Sequence, residues 1–353
     1  MTTTEIDTQS TNTPDAQRRS SRGLLIYLIV TFGLAWLIEL GPVRTLGMGS
    51  GNVLVTLFMV AVMFCPAIGA LVARKVEGSG FSDAGLRWGK GRYHLVGWLL
   101  PVALSALAAV LTVSFGLGQW DPQSEAMLGK LPPEQAEALQ QMREQLGGMF
   151  PVISLLNAMI AGVLITSIAT FGEEFGWRGY LQMRLERYGI ARSMLLTGVI
   201  WGVWHIPVVI QGHNYPGYPI RGALLFIVFC VVFSFILGWL RNASGSVLAP
   251  TIAHAALNSP AAGLMVFTKQ YNVLVGNVLG LVGIGLMALF VVWLFASGRL
   301  GPRQDGALAR EADHAQEPLP ASAPTQDDAE STQTPPRADS EQPPDESSES
   351  DTI

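Results

Sequence analysis

Three short polar motifs interrupt otherwise apolar stretches of the chain. Residues 171–178 read Phe-Gly-Glu-Glu-Phe-Gly-Trp-Arg, residues 201–207 Trp-Gly-Val-Trp-His-Ile-Pro, and residues 254–258 His-Ala-Ala-Leu-Asn. On an α-helix adjacent residues are turned about 100° apart, so Glu173 and Glu174 face different ways. Glu174 and Arg178 are four apart, in the favourable order for an ion pair, which makes Glu174 a charged strut. Glu173 then lacks an intrahelical partner and could point into a cavity, free to transfer a proton. His205 follows Trp201 by four residues, placing imidazole and indole on one face, and Pro207 should kink the helix just beyond. His254 and Asn258, again four apart, share a face beside small residues that allow close packing.

Each motif alone has a plainer explanation. A charged cluster can mark the end of a span, and an intramembrane His or Asn can simply hydrogen-bond a neighbouring helix. One carboxylate, two imidazoles and one carboxamide on three different spans are more than packing needs. A carboxylate can deprotonate water, imidazoles can hold that water or ligate zinc, and an Asn amide can donate to an oxyanion. That inventory suits hydrolysis of an amide bond.

The ordered set E-E-x-x-x-R, an aromatic residue four before a His, then H-x-x-x-N resembles the CPBP family of CAAX proteases and bacteriocin-processing enzymes. That family is related to the Ras-converting CAAX prenyl endopeptidase, and the resemblance covers roughly residues 150–262. It implies an intramembrane endopeptidase in which Glu173 is catalytic, Glu174 and Arg178 form a structural pair, and His205, His254 and Asn258 complete the site. The family usually has Phe where this chain has Trp201, a departure that bears on pocket shape. The family is commonly labelled metalloprotease, and Glu173, His205 and His254 could form a three-ligand zinc site. Another group would then have to act as base. A metal-free mechanism, with Glu173 activating a water held by His205 and with His254 and Asn258 stabilising the oxyanion, is the reading preferred.

The elements that must carry these motifs are membrane spans. Of 353 residues, 49% are hydrophobic and only 14% charged, against roughly a quarter expected in a soluble protein, and mean hydropathy is +0.35. Composition therefore argues against a soluble globular enzyme. About 20 apolar residues cross a bilayer as a helix. Such runs fall at 23–42, 51–73, 94–118, 151–172, 191–211 and 221–240, with a shorter one at 246–262 and a last at 273–296. The expected fold is an all-α polytopic membrane helix bundle of about eight spans, the first of them not a cleaved signal peptide. Lys and Arg cluster before the first run and after the second, fourth, sixth and eighth, so both termini should be cytoplasmic. Segment 133–147 reads as a polar helix on the outer side.

The formal charge of −5 divides unevenly. Residues 301–353 hold 13 acidic and 3 basic residues, leaving the first 300 with a net of +5. Residues 1–22 and the acidic segment 299–353 should be disordered and cytoplasmic, flanking a membrane domain over 23–298. The basic excess of the body follows topology and calls for no nucleic acid. Cys65 and Cys230 lie in apolar runs and form neither a disulfide framework nor a zinc signature. The expected partners are the lipid bilayer of the cell membrane and a peptide or membrane-protein substrate. Two other classes fit the inventory less well. One is a non-catalytic immunity or regulatory protein of the same fold that binds a peptide. The other is a proton-coupled transporter, whose broken-helix symmetry is not evident.

Overall fold

The computed structural model describes residues 14–300, apart from Ser50, Lys130, residues 262–263 and residues 265–266. Five helical stretches are long and apolar enough to cross a bilayer: Ser20–Leu46, Val53–Glu77, Arg92–Ser114, Pro133–Tyr188 and Pro219–Ser244. Two shorter apolar helices, Ile190–Trp204 and Leu281–Ala296, join them. The chain is thus an all-α polytopic membrane bundle. The helices used below are α1 (Pro14–Ile38), α2 (Val53–Glu77), α3 (Arg92–Ser114) and the polar α4 (Pro133–Leu146). They continue with α5 (Phe150–Asn157), α6 (Val163–Gly176), α7 (Ile190–Trp204) and α8 (Ile206–Ile210). Last come α9 (Pro219–Ser244), α10 (Leu248–Ala256) and α11 (Leu281–Ala296).

Several boundaries differ from the sequence reading. Helix α1 starts at Pro14, inside the segment 1–22 assigned to disorder; residues 1–13 and the acidic tail from 301 onward lie outside the described residues. The run 191–211 is two helices broken at His205, the kink expected of Pro207, which cannot donate a backbone hydrogen bond into the preceding turn. The seventh segment is nine α-helical residues followed by a π-helical turn, Leu257–Ala261, that contains Pro260. The last helix begins at Leu281 instead of 273. Asn277 there takes a positive φ of 61°, its backbone N–H bonds Thr112 Oγ1, and its side-chain amide donates to Thr268. A two-residue antiparallel ladder, Gln119–Trp120 against Thr268–Lys269, closes that end of the bundle.

Two G-x-x-x-G pairs let the site-bearing helices approach their neighbours. Gly172 and Gly176 on α6 lie against α2; an added Cβ would fall 2.7 Å from the Met63 carbonyl oxygen and 2.4 Å from Pro66 Cβ. Gly198 and Gly202 on α7 lie equally close to Val231 and Ile227 of α9. In a bilayer helices gain little hydrophobic energy from association, so close backbone approach supplies the packing.

Several basic residues that flank the spans, Arg74, Arg87, Arg184 and Arg241, converge on one loop. That loop, 78–91, is the hub. Asp83 pairs with Arg74 at 2.6 Å and Arg184 at 2.5 Å, while Glu77 pairs with Arg184 at 2.7 Å. The Asp83 carbonyl accepts from Arg241, and Arg87 donates to the Gly245 carbonyl. Gly23, at the start of the first apolar run, lies against the Glu77 side chain. Arg92 and Arg299 line one groove between α3 and α11.

Candidate active site

Helix α6 delivers both glutamates into the bundle interior, Glu173 2% and Glu174 0% exposed. Their divergence on the helix has the expected result for Glu174: Arg178 Nη1 bonds its Oε1 at 2.8 Å, with both side chains fully buried. A π-helical turn, Trp177–Leu181, follows directly and carries Arg178. Such turns insert one extra residue and occur often at functional sites.

The expectation that Glu173 lacks an intrahelical partner is corrected. Trp177 Nε1, four residues on, donates to Glu173 Oε2 at 3.4 Å. A shorter bond, 2.8 Å, reaches the same oxygen from Trp201 Nε1 on α7. Trp201 is therefore a hydrogen-bond donor to the carboxylate as well as a wall of the pocket, a contact Phe could not make. Both indoles converge on Oε2. Oε1 receives neither and remains the oxygen that can accept a proton.

His205 sits at the break between α7 and α8. Its Nδ1 lies 2.9 Å from the Trp201 carbonyl oxygen, and a carbonyl only accepts. Nδ1 therefore carries the hydrogen, and in the neutral ring Nε2 holds the free lone pair. Trp201, Trp204 and Phe226 box the imidazole edge-on, with ring centroids 5.7, 4.7 and 4.8 Å away.

His254, on α10, is oriented by a contact that spacing alone does not reveal. Its Nδ1 lies 2.9 Å from Glu174 Oε1, the same oxygen that accepts from Arg178. Glu174 thus holds the cation of its own helix and a histidine eighty positions away in the sequence. A carboxylate on one ring nitrogen sets the tautomer and aims the other nitrogen outward. The Arg178 guanidinium also stacks over the Trp201 ring at 4.7 Å, and the Trp201 and His254 rings meet edge-to-face at 5.2 Å. The whole assembly locks together around one indole.

Glu173, His205, His254, Asn258 and Trp201 all line a single cavity of about 320 Å³. The structure brings every sequence-selected site residue to it except Glu174 and Arg178, which stand behind as supports. Asn258 is exposed in the π-helical turn beyond α10. The zinc set fares differently. Among the described residues no three His, Cys, Asp or Glu side chains gather so as to hold a metal ion, Glu173, His205 and His254 included. Cys65 and Cys230 are buried and unpaired.

Sequence reasoning passed over Glu39, His213 and Asn214, which line the same cavity. Glu39 carried a usable signal as an acidic residue inside the first apolar run. His213 and Asn214 follow the broken fifth segment in a turn and carried none.

Residues 154–260 match the family described as Type II CAAX prenyl endopeptidase Rce1-like. The chain is also 30% identical over 131 residues to CAAX prenyl protease 2 of Methanococcus maripaludis. That match takes in 35% of this chain and 47% of the relative, so the chain spans about half the length of the curated relative it resembles. Residues 154–260, which match that family model, hold Glu173, His205, His254 and Asn258.

Proposed function

We propose that this chain is an intramembrane endopeptidase of the cell membrane that hydrolyses a peptide bond in a membrane-associated substrate, prenylated or of leader-peptide type. The observation that carries the reading is the convergence of Glu173, His205, His254 and Asn258 on one cavity, the first three each held by a separate support. Water bound between Glu173 Oε1 and the His205 Nε2 lone pair loses a proton to Glu173 as its oxygen attacks the scissile carbonyl carbon. His254, held by Glu174, and the Asn258 amide stabilise the developing oxyanion. Glu173 then returns its proton to the leaving amine as the C–N bond breaks.

No step is routed through a metal. Purified protein in detergent should cleave a quenched-fluorescent peptide with the same rate before and after treatment with a chelator. Glu173→Gln should abolish cleavage while expression and thermal stability stay intact. An active Glu173→Gln protein would refute the mechanism; loss of activity on chelation would refute its metal-free form.

A further inference from the structure

Glu39 is a second carboxylate in the same cavity, and no neighbour holds it. It is 0% exposed, and neither carboxylate oxygen accepts a hydrogen bond from any described residue. Glu173, by contrast, takes two indole N–H bonds and Glu174 an arginine and a histidine. A buried carboxylate without donors is costly to ionise, a cost that a cation arriving from outside would offset.

The backbone around Glu39 is built to present it. Helix α1 passes at Glu39 into a π-helical turn, Glu39–Val43, that contains Pro42. The Gln211 amide ties that turn to the broken fifth segment, donating to the carbonyls of Glu39 at 3.1 Å and Pro207 at 2.8 Å. The Glu39 backbone is thereby anchored between α1 and the segment that carries His205, while its carboxylate stays unbonded. No Lys or Arg is among the described residues lining the cavity, which holds two carboxylates. The nearest guanidinium of the site, Arg178, is bound to Glu174 and stacked on Trp201.

From this imbalance we infer that Glu39 forms a subsite for a basic side chain, Lys or Arg, of the peptide being cleaved. The inference rests on the endopeptidase reading above. It makes Glu39 a specificity-determining residue, separate from the proton transfers assigned to Glu173.

The test uses the full-length protein and quenched-fluorescent peptides in which Lys, norleucine or Glu is scanned through the positions flanking the cleaved bond. At one position Lys should be preferred over norleucine. Glu39→Gln should lower kcat/KM for that Lys peptide at least about tenfold, as expected when one partner of a buried charge pair is neutralised. The norleucine peptide should change less than about twofold, which also shows that the variant is folded. Equal losses on both peptides, or no preference for Lys at any position, would overturn the subsite. Binding of the same peptides to Glu173→Gln protein separates the two readings. Lys-selective binding that Glu39→Gln removes supports the subsite even where the wild-type protein cleaves nothing, and in that case the endopeptidase reading alone fails.

Discussion

Glu173 and Glu174 are neighbours in sequence and equally buried, yet neutralising them should have opposite consequences. Glu174 balances the Arg178 guanidinium at 2.8 Å and holds His254 at 2.9 Å, and both arginine and glutamate are 0% exposed. Glu174→Gln leaves a buried guanidinium without its counter-charge, which costs about 3–5 kcal/mol. At about 2–4 °C per kcal/mol for a domain of this size, the loss in Tm is on the order of 10 °C. Glu173 has no guanidinium to neutralise and only accepts from two indoles, a role the Gln carbonyl can fill. Its replacement should move Tm by no more than about 2 °C, within roughly 1 kcal/mol. Thermal unfolding in one detergent, followed by tryptophan fluorescence, measures both variants beside the wild type. A third protein, Glu174→Gln with Arg178→Met, should recover most of the lost stability, because a buried ion pair replaced whole is often neutral. If Glu174→Gln leaves Tm within about 2 °C, or if the double variant is no better than the single, the buried pair is not what holds α6 in place.

Three further outcomes follow from other contacts. Trp201→Phe keeps an aromatic ring against both histidines but deletes the 2.8 Å bond to Glu173; a hydrogen bond to a charged group is worth about 1.5–3 kcal/mol, so peptide cleavage should fall roughly tenfold or more. Unchanged cleavage by that variant would show that the indole serves packing alone. Gly176→Val should destabilise by at least about 1–3 kcal/mol, since its Cβ would lie 2.4 Å from Pro66 Cβ and 2.6 Å from the Pro66 carbonyl oxygen; a protein as stable as wild type would mean that α6 and α2 can separate freely. At the hub loop, burial pushes the Asp83 carboxyl up, but the bonds from Arg184 and Arg74 outweigh it and hold it below its ordinary value of 3.8. Its pairs therefore contribute stability above that value, and the contribution is lost as the pH falls through the lower folded value. The side chain is 37% exposed, so the contribution is discounted to about 1 kcal/mol and weakens with salt. Asp83→Asn should lower Tm by a few degrees at pH 7, with the gap closing in acid below about pH 4; a constant gap across that range would contradict the assignment.

Much of the site was legible because helical geometry converts spacing directly into facing. The i,i+4 relation predicted the Glu174–Arg178 pair and put the Trp201 indole with the His205 imidazole; the first is an ion pair at 2.8 Å and the second an edge-to-face contact with centroids 5.7 Å apart. The family resemblance rested on the same residues and is matched over 154–260. Continuous apolar runs were read as whole spans, and this is where the reading erred. Hydropathy averages over some 20 residues and does not register that Pro260 lies in a π-helical turn, or that 273–280 folds back through Asn277; the break at Pro207 was legible from that residue alone. The two G-x-x-x-G pairs were visible in the sequence, but which helix each approaches was not.

The amino-acid sequence by itself determined that the chain lives in a bilayer, which polar residues interrupt its apolar runs, and which of the adjacent glutamates pairs with arginine. These are local properties, set by composition and by a repeat of 3.6 residues per turn. Only the tertiary structure decided that Glu174 also holds His254, that Trp201 donates to Glu173, and that Glu39 opens into the same cavity from a helix more than a hundred residues away. Those contacts join separate helices, and their pairing depends on how the helices cross. No periodicity along one segment contains that information.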